Sequence, residues 1–242
     1  NKLNGRATIG ELHRETGLDK ATIVRMLETL MHAGFVVRDD RHTAYEVTGK
    51  TLLLCSGYDR HRAVGRIVGP IIAAFRNRFG WPSDVAIFDH DAMVLIESSR
   101  DAGSILVNRL PGYRAPMLGT SLGLAYLAFA STEEREEVLD RVTAMPAVWN
   151  EIARDRAKAE DYLAGIRDQG YATMHDEYSR TEYGRRISTI GVPILVGGRS
   201  VAAMNVLYLK SALPVAEALA TMVAPLKACA DEIAGALTAG PG

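Results

Sequence analysis

Gly119-Thr120-Ser121-Leu122-Gly123 places a serine between two glycines in the G-x-S-x-G order of a nucleophile elbow. In serine hydrolases that order exposes a hydroxyl on a tight strand-to-helix turn beside an oxyanion hole. The chemistry needs a buried strand directly before the serine, yet Arg114-Ala115-Pro116-Met117 is short and broken by proline. It also needs an acid and then a histidine, an order met only by pairs such as Asp140 and His175, with no local support. The neighbours His90-Asp91 and His175-Asp176 carry side chains fit for acid-base or metal work. No metal-ligand spacing accompanies them, and strand-end turns commonly hold such residues. A serine hydrolase built on residues 119–123 therefore stands as a rival reading. The preferred reading is not an enzyme and assigns no catalytic residue, no metal and no cofactor.

A second constellation points to nucleic acid. Lys20, Ala21, Thr22, Arg25, Met26 and Thr29 fall within a stretch whose apolar residues recur at helical spacing. At roughly 100° per residue, Ile23, Val24, Leu27, Leu30 and Met31 share one face, and Thr22, Arg25, Met26 and Thr29 share the other. Small hydroxyls allow close approach to a groove, and Arg25 can donate two bonds to a guanine edge. Lys20 and the helix N-terminus are expected to face phosphate. Downstream, Phe35-Val36-Val37-Arg38 and Tyr45-Glu46-Val47 are β-rich runs around a polar turn, which reads as a wing. Arg41 and His42 at its tip are placed to follow the DNA backbone or enter the minor groove, with Asp39 and Asp40 weakening the contact.

Local signals place these side chains. Thr8-Ile9-Gly10-Glu11 is a capping box that predicts a helix from Ile9. Gly17 sits where a left-handed C-cap is wanted, and Asp19 follows as the next N-cap. The intervening turn is expected to tuck Leu18 inward. Because the chain opens close to this pair of helices, a further helix is expected before Asn1.

The stretch from Ala7 to Val36, with Thr16-Gly17-Leu18-Asp19-Lys20-Ala21-Thr22-Ile23-Val24-Arg25-Met26-Leu27 at its centre, resembles the winged helix of the IclR (isocitrate-lyase-regulator) family. That family's core reads T-G-L-x-K-[ST]-T-x-x-R-L-L. Here Met26 replaces the first Leu and Ala21 the small hydroxyl. The resemblance implies a bacterial transcriptional regulator that pairs a DNA-binding domain at residues 1–56 with a GAF-like effector domain at residues 80–242. It also implies a linker helix at residues 57–79 that helps to pair subunits, giving a homodimer or a tetramer assembled as a dimer of dimers. The partners expected are double-stranded operator DNA and a small-molecule effector.

Residues 57–79 do carry Val64, Ile67, Val68, Ile71, Ile72, Phe75 and Phe79 at helical spacing, and Pro70 is expected to kink or divide that helix. The C-terminal half of this helix reads equally well as part of the second domain's core. Strand signals follow at 85–88, 93–96 and 105–107, with turns too short for anything but antiparallel pairing. Helices are predicted near 120–130, 132–142 after the capping box Ser131-Glu134, and 154–168. Strands return at 171–174, 187–195 and 201–209, with hairpin chemistry at Gly197-Gly198, and a last helix covers 215–237. The fold class is α+β: a winged helix, a linker helix and an antiparallel sheet with helices.

Arg114 to Ala128 and Gly191 to Val206 are similar to the two stretches that build the family's effector pocket. By that resemblance Leu118 stands at a usual His, Leu124 at a usual Lys, Thr189 at a frequent Cys, and Asn205 and Leu207 at two frequent Ser. A pocket with fewer polar groups implies a more apolar ligand than a small keto acid. The helix start at Gly119, Thr120 and Ser121 offers amides and hydroxyls to a carboxylate. Met117, Leu118 and Tyr126 are expected to line an apolar slot, with Arg109, Arg114, His175 or Asp176 beside it. The effector expected is an aromatic carboxylic acid such as a hydroxybenzoate or hydroxyphenylpropionate.

Charge and composition are consistent with this division. The 242 residues carry a net charge of −1, but residues 1–79 hold 13 Lys/Arg against 8 Asp/Glu, while residues 80–242 hold 15 against 21. A basic module meeting a polyanion, joined to an acidic one that does not, gives that asymmetry. The two cysteines, Cys55 and Cys229, form no framework or zinc pattern, and a cytoplasmic, membrane-free protein is expected. A third reading, a ligand-binding module whose helix-turn-helix only dimerises, uses the same helices without DNA.

Overall fold

The structure is a computed structural model that describes residues 3, 5–39, 41–56, 59–98 and 112–239, the side chains of 55–63 excepted. It divides into two compact units, Asn1–Arg60 and His61–Gly242. The strand predicted at 105–107 and the candidate donor Arg109 lie outside the described residues, as does Asp40.

In the first unit, β1 (Arg6–Ala7) leads into α1 (Ile9–Thr16), α2 (Lys20–His32), β2 (Val36–Asp39) and β3 (Ala44–Val47). The predicted capping box is complete: the Thr8 hydroxyl accepts from Glu11 N, and the Glu11 carboxylate accepts from Thr8 N at 2.8 Å. Gly17 ends α1 at φ 71°, in the left-handed region that glycine enters without strain, and Asp19 caps α2. Ile23 and Leu27 of α2 are buried with Val36 of β2. The strands pair antiparallel in the order β1-β3-β2, so the wing is a true hairpin. β1 escapes sequence patterning because two residues carry no periodicity.

Two expectations of burial fail in this unit. Leu18 is 40% exposed rather than tucked inward. The turn is held by its own polar atoms, with His13 Nδ1 2.7 Å from the Leu18 carbonyl and Leu18 N donating to the Thr16 hydroxyl, and the side chain is left outside. Leu30, placed on the apolar face, is likewise 40% exposed.

A short helix α3 (Leu52–Ser56) precedes α4 (Asp59–Phe79). Pro70 does not divide α4, which runs unbroken through it. One missing amide is tolerated because Val68, Ile72 and Phe75, on either side of the proline, are buried in a core shared with the sheet.

The second unit is built on a six-stranded antiparallel sheet in the order β6-β5-β4-β9-β8-β7. Its strands are β4 (Ser83–Asp89), β5 (Ala92–Ser98), β6 (Arg114–Pro116), β7 (Ala172–Thr173), β8 (Ile187–Val196) and β9 (Arg199–Leu209). β8 and β9 turn at Gly197 and Gly198, at φ 60° and 77°, as the primed hairpin turn requires. One face carries Val85, Ile87, Val192, Met204 and Tyr208 against α4 and α9 (Val215–Ala239). The other carries Ala86, Leu95 and Ala203 against α5 (Ser121–Ala128), α6 (Thr132–Thr143) and α7 (Arg156–Gln169). The box at Ser131 is half formed: its hydroxyl caps Glu134 N, but the Glu134 carboxylate accepts from Tyr126 Oη instead. A 3-10 segment, Val148–Arg154, and helix α8, Asp176–Tyr183, were not expected from the sequence. Among the described residues no helix is long and apolar enough to cross a membrane.

Candidate functional site: a recognition helix and a ligand cavity

The outer face of α2 exposes Arg25, Met26 and Thr29, with Thr22 half-buried among them; Met26 is 53% exposed. Lys20 and Ala21 are exposed at the first turn. The two threonines are not free donors, which corrects the expectation. Thr22 Oγ1 donates to an Asp19 carboxylate oxygen at 2.6 Å, and Thr29 Oγ1 donates to the Arg25 carbonyl at 2.9 Å. Both are local bonds that helical hydroxyls readily form. Hydrogen bonds from the Thr22 side chain and backbone hold the Asp19 carboxyl below its ordinary range. A carboxylate thus already sits at the helix start where phosphate was expected. Arg25 is left as the donor that this face can offer to a base edge.

In the wing, Asp39 is engaged within the protein. It accepts from Arg41 N at 3.0 Å, lies 2.7 Å from His42 Nδ1 and pairs with Arg6, which also reaches Glu46 at 3.0 Å. The His42 contact chiefly lowers the Asp39 pKa. Arg41 remains exposed at the tip beside Thr43, whose φ is 49°.

In the second unit a cleft of about 620 Å³ is lined by Leu118, Trp149, Glu151, Tyr162, His175 and Asp176, among others. Trp149 stands edge-on to Tyr178 with centroids 5.1 Å apart, and Tyr178 Oη is 2.9 Å from Tyr113 Oη. Burial pushes the Tyr162 phenol pKa up. His175 caps α8: Nδ1 accepts from Glu177 N at 3.2 Å, so the neutral ring carries its proton on Nε2. Lys210 lies 3.6 Å from Asp176 and offsets its charge. Gly119 borders the aromatic wall; a β-carbon there would stand 3.0 Å from the Tyr178 ring and 3.2 Å from Trp149.

Of the expected effector residues, Leu118 and Asp176 line this cleft with Gly119 beside them. Met117 faces a neighbouring cleft of about 230 Å³. Thr120 and Ser121 are sealed at 2% and 0% exposure, so the start of α5 is no open carboxylate seat. Thr120 Oγ1 donates to the Pro116 carbonyl and accepts from Gly123 N, while the Ser121 and Thr189 hydroxyls bond each other at 2.7 Å. Asn205 Oδ1 accepts from Asp84 N at 3.1 Å, and Leu207 is buried. Tyr126 stacks on Phe88 and bonds Glu134, away from the cleft. Arg114 is clamped by Asp89 and Asp91 and is no free donor. Trp149, Glu151 and Tyr162 were missed, because nothing in their local sequence marks a wall that only tertiary packing assembles.

The hydrolase constellation does not form. Ser121 is fully buried, Asp140 pairs with Arg156, and the His175 ring caps α8. No group of His, Cys, Asp and Glu among the described residues has the geometry of a metal site.

A winged helix-turn-helix followed by an α+β unit with its own ligand-sized cleft defines the class of two-domain, ligand-sensing DNA-binding regulators. Residues 2–40 match the IclR helix-turn-helix domain, and residues 59–235 match the bacterial transcriptional regulator IclR C-terminal domain. The chain belongs to the IclR family of transcriptional regulators. Among curated relatives it is 32% identical over 52% of its length to the HTH-type transcriptional regulator TsaQ1/TsaQ2 of Comamonas testosteroni. It is 25% identical over 73% of its length to the acetate operon repressor of Salmonella typhimurium, and 25% over 82% to the Pca regulon regulatory protein of Pseudomonas putida. The matches span 46%, 65% and 66% of those relatives' own lengths.

Solved structures share the fold. The Thermotoga maritima IclR superposes with a TM-score of 0.66 at 24% identity, covering 96% of this chain and 92% of that one. An IclR homologue from Microbacterium hydrocarbonoxydans, complexed with 4-hydroxybenzoate, gives 0.69 at 21%, covering 98% and 93%.

Proposed function

We propose that this chain regulates transcription in the cytoplasm by binding double-stranded operator DNA through α2 and its wing, in response to an aromatic carboxylic acid. The observation that carries the DNA half is the outward face of α2, where Arg25 projects beside Met26 and Thr29 from a helix fixed at its start by Asp19. A duplex groove admits such a helix, and a paired subunit reads a second half-site about one helical turn or a multiple away. Residues 1–56 then form the DNA-binding domain, 57–79 the linker that helps to pair subunits as a dimer or a dimer of dimers, and 80–242 the effector domain. Effector binding shifts the population between linker arrangements.

The effector seat is the cleft at Leu118, Gly119, Trp149, Tyr162, His175 and Asp176. Its aromatic walls suit a flat ring, and His175 Nε2 offers a donor to a carboxylate. The 4-hydroxybenzoate complex of a fold neighbour agrees with that chemistry. A thermal-shift screen of aromatic and aliphatic carboxylates tests the reading. A ligand at 100 times its Kd stabilises by about 2.7 kcal/mol. Stabilisation by hydroxybenzoates is expected; a response confined to aliphatic keto acids or sugars overturns the ligand assignment and leaves the DNA half standing.

A further inference from the structure

At about 100° per residue, Arg25 and Met26 occupy opposite margins of the outer face of α2, with Thr22 and Thr29 between them. The hydroxyl protons of both threonines are committed inside the protein, to Asp19 and to the Arg25 carbonyl. What those residues present outward is chiefly methyl groups and oxygen lone pairs. Met26 stands about 60° round the helix from the buried Ile23 and about 100° from Leu27. It is nevertheless 53% exposed, so the local core covers only part of it. The face is therefore split: one margin donates hydrogen bonds through Arg25, and the other is apolar. In the major groove the apolar feature of a base pair is the C5 methyl of thymine, and the feature a guanidinium grips in two places is the O6/N7 edge of guanine. A thioether on an unbranched stem can follow that methyl at little conformational cost.

We propose that Met26 is a specificity-determining residue that packs on a thymine methyl next to the guanine read by Arg25, so that each operator half-site couples a guanine to a neighbouring thymine. The proposal rests on the reading that α2 enters the groove, and it adds which bases that helix prefers.

The test uses the intact protein. A preferred duplex is selected from a random pool, and affinity is then read by fluorescence anisotropy on copies in which each thymine in turn is replaced by uracil, which removes only the methyl group. One replacement beside the Arg25-dependent guanine is expected to weaken binding about fourfold, the value of one buried methyl-sized group. In Met26→Ala that penalty disappears, because the contact is already gone, and in Met26→Leu it persists. Met26 is exposed, so both variants are expected to melt with the wild-type protein. Uracil tolerated at every position by the wild type, or a penalty undiminished in Met26→Ala, overturns the proposal. Failure of the underlying reading looks different: no duplex is preferred over the pool, or Arg25→Ala leaves the preference for guanine unchanged.

Discussion

The hydroxyl oxygens of Ser121 and Thr189 lie 2.7 Å apart and tie the first residue of α5 to the third residue of β8. The serine that the G-x-S-x-G order singles out is thus a packing element, buried with its partner. Ser121→Ala leaves the Thr189 hydroxyl without that partner in the core and is expected to cost about 1–3 kcal/mol in urea unfolding. Adding Thr189→Val removes the stranded hydroxyl and is expected to recover part of the loss. Ester hydrolysis stays at the background rate for all three proteins; loss of a measurable wild-type rate in Ser121→Ala would revive the hydrolase.

The same junction depends on two glycines. A β-carbon on Gly191 would lie 2.4 Å from the Ser121 carbonyl oxygen, and one on Gly123 would lie 2.2 Å from the Met117 carbonyl oxygen. Backbone cannot yield as a flexible side chain does, so Gly191→Ala and Gly123→Ala are each expected to cost about 3 kcal/mol or more. Gly165, inside α7 with open space around it, is the control: Gly165→Ala is expected to stabilise by about 1 kcal/mol.

Asp19 gives the first unit an acid sensitivity of known sign. Its folded pKa is lowered by the Thr22 hydrogen bonds from an ordinary value of 3.8. The stabilisation is present in full above that ordinary value and is lost as pH falls through the lowered one. Helical circular dichroism is expected to fall with acid in the wild type. Asp19→Asn keeps a cap but cannot titrate, and its contribution to the acid response should vanish; an unchanged acid response contradicts this role.

Tyr162 lines the cleft yet remains 40% exposed, so its removal separates ligand binding from folding. Tyr162→Ala is expected to cost under about 1 kcal/mol in stability. It should weaken an aromatic carboxylate by about tenfold, read by calorimetry, while DNA affinity without ligand is unchanged. Equal ligand affinity in the variant would move the seat elsewhere.

What was legible in the sequence follows the range of the interactions. Thr8, Gly17 and Asp19 announce helix ends because each cap is made within three or four residues. Gly197 and Gly198 announce the β8-β9 hairpin for the same reason. The Thr22 bond to Asp19 also spans three residues and belongs to that N-cap, yet a wheel built on polarity counts the hydroxyl as outward and free. The cleft is a different case. Leu118, Trp149, Tyr162 and His175 are brought together only when the turn before α5, the 3-10 segment, α7 and the start of α8 meet, and no local pattern encodes that meeting. Strands β4, β5, β8 and β9 were readable as nearly continuous apolar runs, because helices cover both faces of the sheet, whereas β6, three residues ending at Pro116, was not expected. Helix α8, eight residues with only Tyr178 and Ser179 buried, presents too little apolar periodicity to be seen.

The central claim is that α2 reads base sequence. Fluorescence anisotropy of the intact protein on a selected duplex and on a scrambled one, at a single salt concentration, measures it directly. The expected preference is at least about 10³-fold. In Arg25→Ala, about 1–3 kcal/mol of it should be lost at the guanine position alone. Equal affinity for the two duplexes, or a uniform loss on both in Arg25→Ala, would contradict the account.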